Sequence, residues 1–267
     1  MKTAIAIPAR YGSSRFPGKP LVKIAGETML SRVVTLAKKV AQETKNTTVF
    51  VTTEDHRVAE HAESLKIPCL MTSTTCKTGS DRVLAALRQL NEWPDMVLNL
   101  QGDAPFTPPS VLVALIETFH ATPRTEVITP VHRLSWPDLD RLREIKRATP
   151  FSGTTALIDP QNRALWFSKA IIPAIRDEDH LRTLMQKSPV YQHMGLYGFR
   201  PDILEKFCAL PQSPYEKLEG LEQLRMLENG IRITTVPVDM PEGFIQSGID
   251  TPDDVKRAEF MIRSGYH

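Results

Sequence analysis

The chain has 267 residues, 41% of them hydrophobic and 24% charged, with a formal net charge of +2. These proportions suit one large α/β domain, or a domain with a smaller insert, with a good core, and give no sign of a nucleic-acid surface. Three cysteines, Cys69, Cys76 and Cys208, form no C-x-x-C pair, which argues against a zinc knuckle or dithiol motif and fits a reducing compartment.

In chain order, Thr3–Ile7 is a short apolar run ended by Pro8 and reads as a buried parallel strand. A loop rich in Gly, Ser, Arg and Pro follows, from Ala9 to Pro20. Met29–Val40 has apolar residues at helical spacing. Thr48–Thr53 is a second strand, His56–Leu65 a helix and Pro68–Thr72 a third strand. Gly79–Asn91 reads as a helix capped by Ser80 or Asp81. Asp95–Leu100 is a fourth strand, running directly into Gln101-Gly102-Asp103.

Strands alternating with helices predict an α/β fold with a mostly parallel sheet and helices on both faces. Ligands of such sheets sit beyond the carboxyl ends of the strands. The loops after Ile7, after Leu100 and at Thr53-Glu54-Asp55 all lie there, so three polar loops point to one rim.

Further along, Pro108–His120 reads as a helix and Thr125–Val131 as a strand. Ser135–Arg147 fits neither pattern. Thr154–Ile158 and Ala164–Phe167 are expected to pair around the turn residues Asp159 to Asn162. Gln192–Phe199 reads as one strand and Ser213–Asn229 as one helix stopped by Gly230. Ile231–Val238 is a last strand, and Pro252–Arg263 a closing helix with Asp250 or Thr251 near its cap. The expectation is a single domain over 1–267, with a β-rich lobe at roughly 129–200. No apolar run reaches the length of a signal peptide or membrane span, so a cytoplasmic protein without membrane insertion is expected.

The segment Pro8-Ala9-Arg10-Tyr11-Gly12-Ser13-Ser14-Arg15-Phe16-Pro17-Gly18-Lys19-Pro20 puts three cations and two glycines in one strand-to-helix loop. A triphosphate needs exposed backbone N–H groups with Arg and Lys to offset charge. The spacing is not that of a Walker A loop: five residues separate Gly12 from Gly18, and Pro20 stands where a magnesium-binding Ser or Thr belongs. Asp103, a carboxylate at a strand end facing that loop, suits Mg²⁺, which takes one or two carboxylates plus substrate phosphates. Asp250 is the best second carboxylate, with a plain helix cap as its other reading. The chemistry expected is attack by a sugar hydroxyl on the α-phosphorus of a nucleotide, with pyrophosphate leaving and no protein nucleophile.

Six blocks, in order along nearly the whole chain, carry a family resemblance. They are I-P-A-R-Y-G-S-S-R-F-P-G-K-P at Ile7, T-G-S-D-R (Thr78 to Arg82), V-L-N-L-Q-G-D-A-P (Val97 to Pro105), H-M-G-L-Y-G-F-R (His193 to Arg200), S-P-Y-E-K-L-E-G-L-E-Q-L-R (Ser213 to Arg225) and G-I-D-T-P-D-D (Gly248 to Asp254). Together they resemble 3-deoxy-manno-octulosonate cytidylyltransferase, also called CMP-Kdo synthetase. The resemblance implies a fold of the nucleotide-diphospho-sugar transferase type, a homodimer, and formation of CMP-Kdo and diphosphate from CTP and Kdo for lipopolysaccharide. It implies that Arg10, Arg15 and Lys19 hold the triphosphate, with Pro8, Ala9, Ser80, Arg82 and Gln101 also on the nucleotide. Asp103 and Asp250 hold Mg²⁺, and Arg10, Lys19 and Asp103 carry the chemistry. His193, Tyr197, Glu222 and Gln223 face the sugar acid.

Two stretches depart from the family pattern. Ala104 stands where the family usually has Glu, and Thr149-Pro150-Phe151-Ser152-Gly153-Thr154-Thr155 replaces the usual N-P-N-x-V-K. These leave open another keto-deoxy sugar acid, such as an 8-amino Kdo analogue or a sialic-acid-like substrate. A non-catalytic nucleotide-sugar-binding paralogue is a further alternative, against which Lys19, Asp103 and Asp250 all speak. Glu219 and Glu222, three apart, are expected on one helix face. His56, His61, His120, His132, His180 and His267 show no metal-type clustering and read as surface residues, and Trp93, Trp136 and Trp166 as packing residues.

Overall fold

Six consecutive buried residues form β1, Thr3–Pro8, a strand apolar enough to be covered on both faces. The structure is a computed structural model that describes residues 1–12, 16–240, 248–249 and 251–263. Arg15 and Asp250, both expected at the site, lie outside the described residues, as does His267. The chain forms two compact units.

The first unit comprises Met1–His120, Gly198–Cys208 and the described part of 246–267. After β1 and a single 3-10 turn at Lys19–Leu21, a two-stranded hairpin pairs β2 (Lys23–Ile24) with β3 (Glu27–Thr28). Thr28 then caps α1 (Met29–Glu43), its side chain accepting from the Ser31 N–H. Met29, Leu30, Val33, Val34, Ala37 and Val40 make the buried stripe of α1. Next come β4 (Thr47–Thr53), α2 (His56–Ser64), β5 (Cys69–Met71), α3 (Gly79–Leu87), β6 (Met96–Asn99) and α4 (Pro109–Ala121). The order β5-β4-β1-β6 is parallel throughout, with Pro8 opposite Thr52 and Ala6 opposite Asn99.

The second unit comprises Ala121–Tyr197 and Ala209–Ile245. It holds β7 (Val127–Ser135), α5 (Trp136–Ala148), β8 (Thr155–Ile158), β9 (Ala164–Ser168), α6 (Glu178–Leu184) and β10 (Lys187–His193). After β11 (Tyr197–Phe199) and α7 (Pro201–Ala209) it resumes with α8 (Pro214–Glu219), α9 (Glu222–Glu228) and β12 (Ile233–Pro237). α10 (Pro252–Arg263) closes the chain's helices in the first unit. The second unit's strand order is β12-β7-β10-β8-β9, antiparallel except for the β12–β7 pair. The sheet is mixed, with its parallel core in the first unit. Among the described residues no helix is long and apolar enough to cross a membrane.

Several elements differ from expectation for local reasons. α3 is capped by Thr78, not Ser80 or Asp81: Thr78 accepts from the Asp81 N–H while Asp81 accepts from the Thr78 N–H. Ser135–Arg147 resolves as α5, started by Ser135, whose hydroxyl accepts from the Asp138 N–H. The run 192–199 is two strands, because Met194 turns its N–H to Pro130 O and Leu196 turns its own to Met194 O. The helix 213–229 is two helices, broken at Gly220 with φ +64°. Glu219 and Glu222 therefore do not share a helix face. His132 is not a surface residue but 5% exposed, and burial pushes its pKa down to about 4.

Candidate active site

In the first unit the ends of β1, β4 and β6 lie side by side at the carboxyl edge of the parallel strands. The ladder runs on past the strands, with Ala9 N–H donating to Thr52 O at 2.9 Å and Leu100 N–H to Ala6 O at 2.9 Å. Gly102 is required here by close approach: a Cβ on it would stand 2.8 Å from Pro8 O. The missing side chain lets the 101–103 turn press against Pro8 and Ala9. Gly79, at the start of α3, is tight in the same way, since its Cβ would lie 3.3 Å from Gln101 Oε1 and 3.4 Å from Pro8 Cγ. Gln101 Nε2 donates to Oδ1 of fully buried Asn99 at 3.2 Å, which fixes the amide.

Lys19 follows Gly18, whose φ of +73° only glycine adopts readily. The turn aims Lys19 Nζ at Asp103 Oδ2, 2.6 Å away, with both side chains mostly buried. Ile249 N–H donates to Asp103 O at 3.1 Å, so the segment just before Asp250 is tied to Asp103. Arg10 is exposed and Ser80 buried. Arg82 is 3% exposed, with its guanidinium 2.9 Å from Glu54 Oε2 and donating to Thr72 Oγ1 at 2.7 Å.

The second unit gathers a different set. His193 is buried against Phe167 and Tyr197, ring centroids 4.8 and 5.3 Å away. Thr129 Oγ1 donates to Leu196 O at 2.7 Å, so its contact with His193 Nε2 at 2.8 Å has the imidazole N–H as donor. Burial, helped by the Lys169 charge, pushes His193 down to about 3, so the ring is neutral. Burial and the Glu222 charge push the Tyr197 phenol well above its usual range. Gln223 is buried one position on. Glu219 accepts from Ser168 Oγ and the Lys169 N–H, and Lys169 Nζ donates to Thr154 Oγ1 at 3.1 Å.

These features have counterparts in known proteins. A family model described as Cytidylyltransferase matches residues 4–233. A 3-deoxy-manno-octulosonate cytidylyltransferase of Maricaulis maris (strain MCS10) is 41% identical over 262 residues, 98% of this chain and 97% of that protein. One from Desulfatibacillum aliphaticivorans is 35% identical over 266 residues, 98% and 99% of the two chains. The chain belongs to the 3-deoxy-manno-octulosonate cytidylyltransferase family. A solved CMP:2-keto-3-deoxy-manno-octonic acid synthetase complexed with CTP matches with TM-score 0.84 and 31% identity, over 99% of this chain and 100% of that one. A cytidylyltransferase of Leptospira borgpetersenii, 20% identical with TM-score 0.62, shares the fold over 99% of this chain and 87% of its own.

In this cytidylyltransferase the residues expected on the nucleotide and metal, where described, all fall in the first unit, and those expected on the sugar acid in the second. No group of three or more His, Cys, Asp or Glu gathers among the described residues. Magnesium needs only one or two carboxylates where substrate phosphates complete its shell, so Asp103 fits as one protein ligand. The ammonium of Lys19 lies against that carboxylate. Glu54 lies in the Thr53-Glu54-Asp55 loop at the same rim; its partner Arg82 is 28 residues on, in another element, and no local spacing signals the pair.

Proposed function

We propose that this chain transfers CMP from CTP to 3-deoxy-D-manno-octulosonate, or a close keto-deoxy sugar acid, releasing diphosphate for lipopolysaccharide synthesis in the cytoplasm. The carrying observation is Lys19 against Asp103 at 2.6 Å, on the rim that also holds Gln101. A cation and a carboxylate at one strand edge suit a triphosphate with a divalent ion.

Arg10, Arg15 and Lys19 offset the triphosphate's charge, and the backbone near Pro8 and Ala9, with Ser80 and Gln101, holds the nucleoside, while the guanidinium of Arg82, expected there too, is taken up by Glu54 and Thr72. The triphosphate draws Lys19 away from Asp103 and frees that carboxylate. Asp103 and Asp250 would hold Mg²⁺, which supplies charge neutralisation at the phosphates. A sugar hydroxyl attacks the α-phosphorus, the bond to the bridging oxygen of the β-phosphate breaks, and the hydroxyl proton passes to solvent. The protein's part is positioning and charge stabilisation.

His193, Tyr197, Glu222 and Gln223 take the sugar acid. The neutral His193 ring and the protonated Tyr197 phenol suit hydroxyl recognition. A homodimer completes the reading: Tyr215 and Leu218 lie three apart on α8, 51% and 73% exposed, an apolar face that a second copy would cover.

A close sugar-acid analogue stays within this reading because Ala104, beside Asp103, carries no carboxylate. Pyrophosphate release with Asp103→Ala tests the core claim. We expect a loss of roughly 10²-fold or more with the melting temperature retained. Near-native release would remove Asp103 from the mechanism.

A further inference from the structure

Glu54 touches the loop taken above to hold the triphosphate. Its Oε1 accepts the Tyr11 N–H at 3.1 Å and lies 3.5 Å from the Gly12 nitrogen. Its Oε2 pairs with Arg82 Nη2 at 2.9 Å, both side chains buried at 13% and 4% exposure. Arg82 is anchored in turn on Thr72 Oγ1 at 2.7 Å, and Thr72 Oγ1 lies 3.3 Å from Thr52 Oγ1 of β4. An unbroken chain of contacts thus runs from the sheet through Arg82 and Glu54 to the loop backbone.

The same loop residue is held by its ring. Arg57 lies over the Tyr11 ring at 3.5 Å and is itself fixed by Asp55. On Gly18, a Cβ would stand 3.2 Å from Tyr11 Cζ, and Gly18 N–H donates to Tyr11 O at 2.9 Å. Tyr11 therefore ties the start of the loop to the turn that presents Lys19.

We propose that Glu54 and Arg82 are positioning residues for nucleotide binding: the buried pair pins the Tyr11 backbone and so sets the placement of Arg10 and Lys19. A surface carboxylate beside a triphosphate loop would repel its ligand. One neutralised by a buried guanidinium lends its acceptor to the backbone at little such cost. Arg82 then acts on the nucleotide through the loop.

This inference rests on the loop's assignment to CTP, so the test measures CTP binding first, by calorimetry on the full chain. Glu54→Leu is expected to weaken CTP binding roughly 10- to 100-fold, the range of a lost hydrogen bond to a charged group. Glu54→Gln, which keeps an acceptor for the Tyr11 N–H, should recover most of that. The KM for the sugar acid at saturating CTP should stay within about twofold in both. If Glu54→Leu fails to fold, Thr72→Val, which removes the second anchor of Arg82, should weaken CTP binding roughly threefold. Native CTP affinity in the variant that folds, or equal shifts in both substrates alongside a lowered melting temperature, overturns the inference alone. A native chain that binds no CTP overturns it together with the assignment of the loop.

Discussion

Lys19 and Asp103 are 84 residues apart in sequence and 2.6 Å apart in the structure. Each was legible as a candidate from its own neighbourhood: a lysine after a glycine turn, a carboxylate after a buried strand. Their direct pairing was not, because it depends on Gly102 letting the second turn press onto the first strand's end. Histidines show the opposite case. The motif marks His193, whereas the sequence around His132 reads as surface, yet both rings are buried. Both are neutral in the fold, at about 3 and about 4, against about 6.5 when unfolded. The unfolded chain therefore binds more protons below pH 6.5, and stability present above that value is lost as pH falls toward 4. By pH 5 each histidine should cost about 2 kcal/mol. Melting temperatures between pH 7 and 5 should fall, and His132→Leu should flatten the slope. A slope unchanged by that variant would show that His132 does not titrate on unfolding.

Elements of the first unit were largely readable because a parallel strand covered on both faces leaves a dense apolar run, as in β1 and β6. The second unit was less so. Its breaks are set by backbone geometry at single positions, such as the turn of Met194 onto Pro130 and the left-handed Gly220. Gly220→Ala should lower stability by about 1 kcal/mol, because the strain is in the backbone and open space surrounds its Cβ. Denaturant unfolding reads this, and an unchanged midpoint would mean that the α8–α9 break does not need that conformation. Gly102→Ala is different in kind, since its Cβ meets Pro8 O at 2.8 Å. It should lower kcat/KM roughly tenfold or more by shifting Asp103 relative to Lys19. Native kinetics in that variant would show that the close approach has no catalytic consequence.

At the scale of the molecule, the convergence of three loops on one rim followed from the alternation of strands and helices alone. Register bears it out, with Pro8 beside Thr52 and Ala6 beside Asn99. The return of Ala209–Ile245 to the second unit was not legible, because β11 and α7 stand between its two segments. The family explains why the motifs are spread along the whole chain: residues expected on the nucleotide come from the first unit and those expected on the sugar acid from the second. The central claim is most directly tested by pyrophosphate release from the native chain with Mg²⁺, Kdo and each of CTP, UTP, ATP and GTP. The account predicts release that depends on both Kdo and CTP, with the other nucleotides poor substitutes. Release that ignores Kdo, or that favours another nucleotide over CTP, would contradict it.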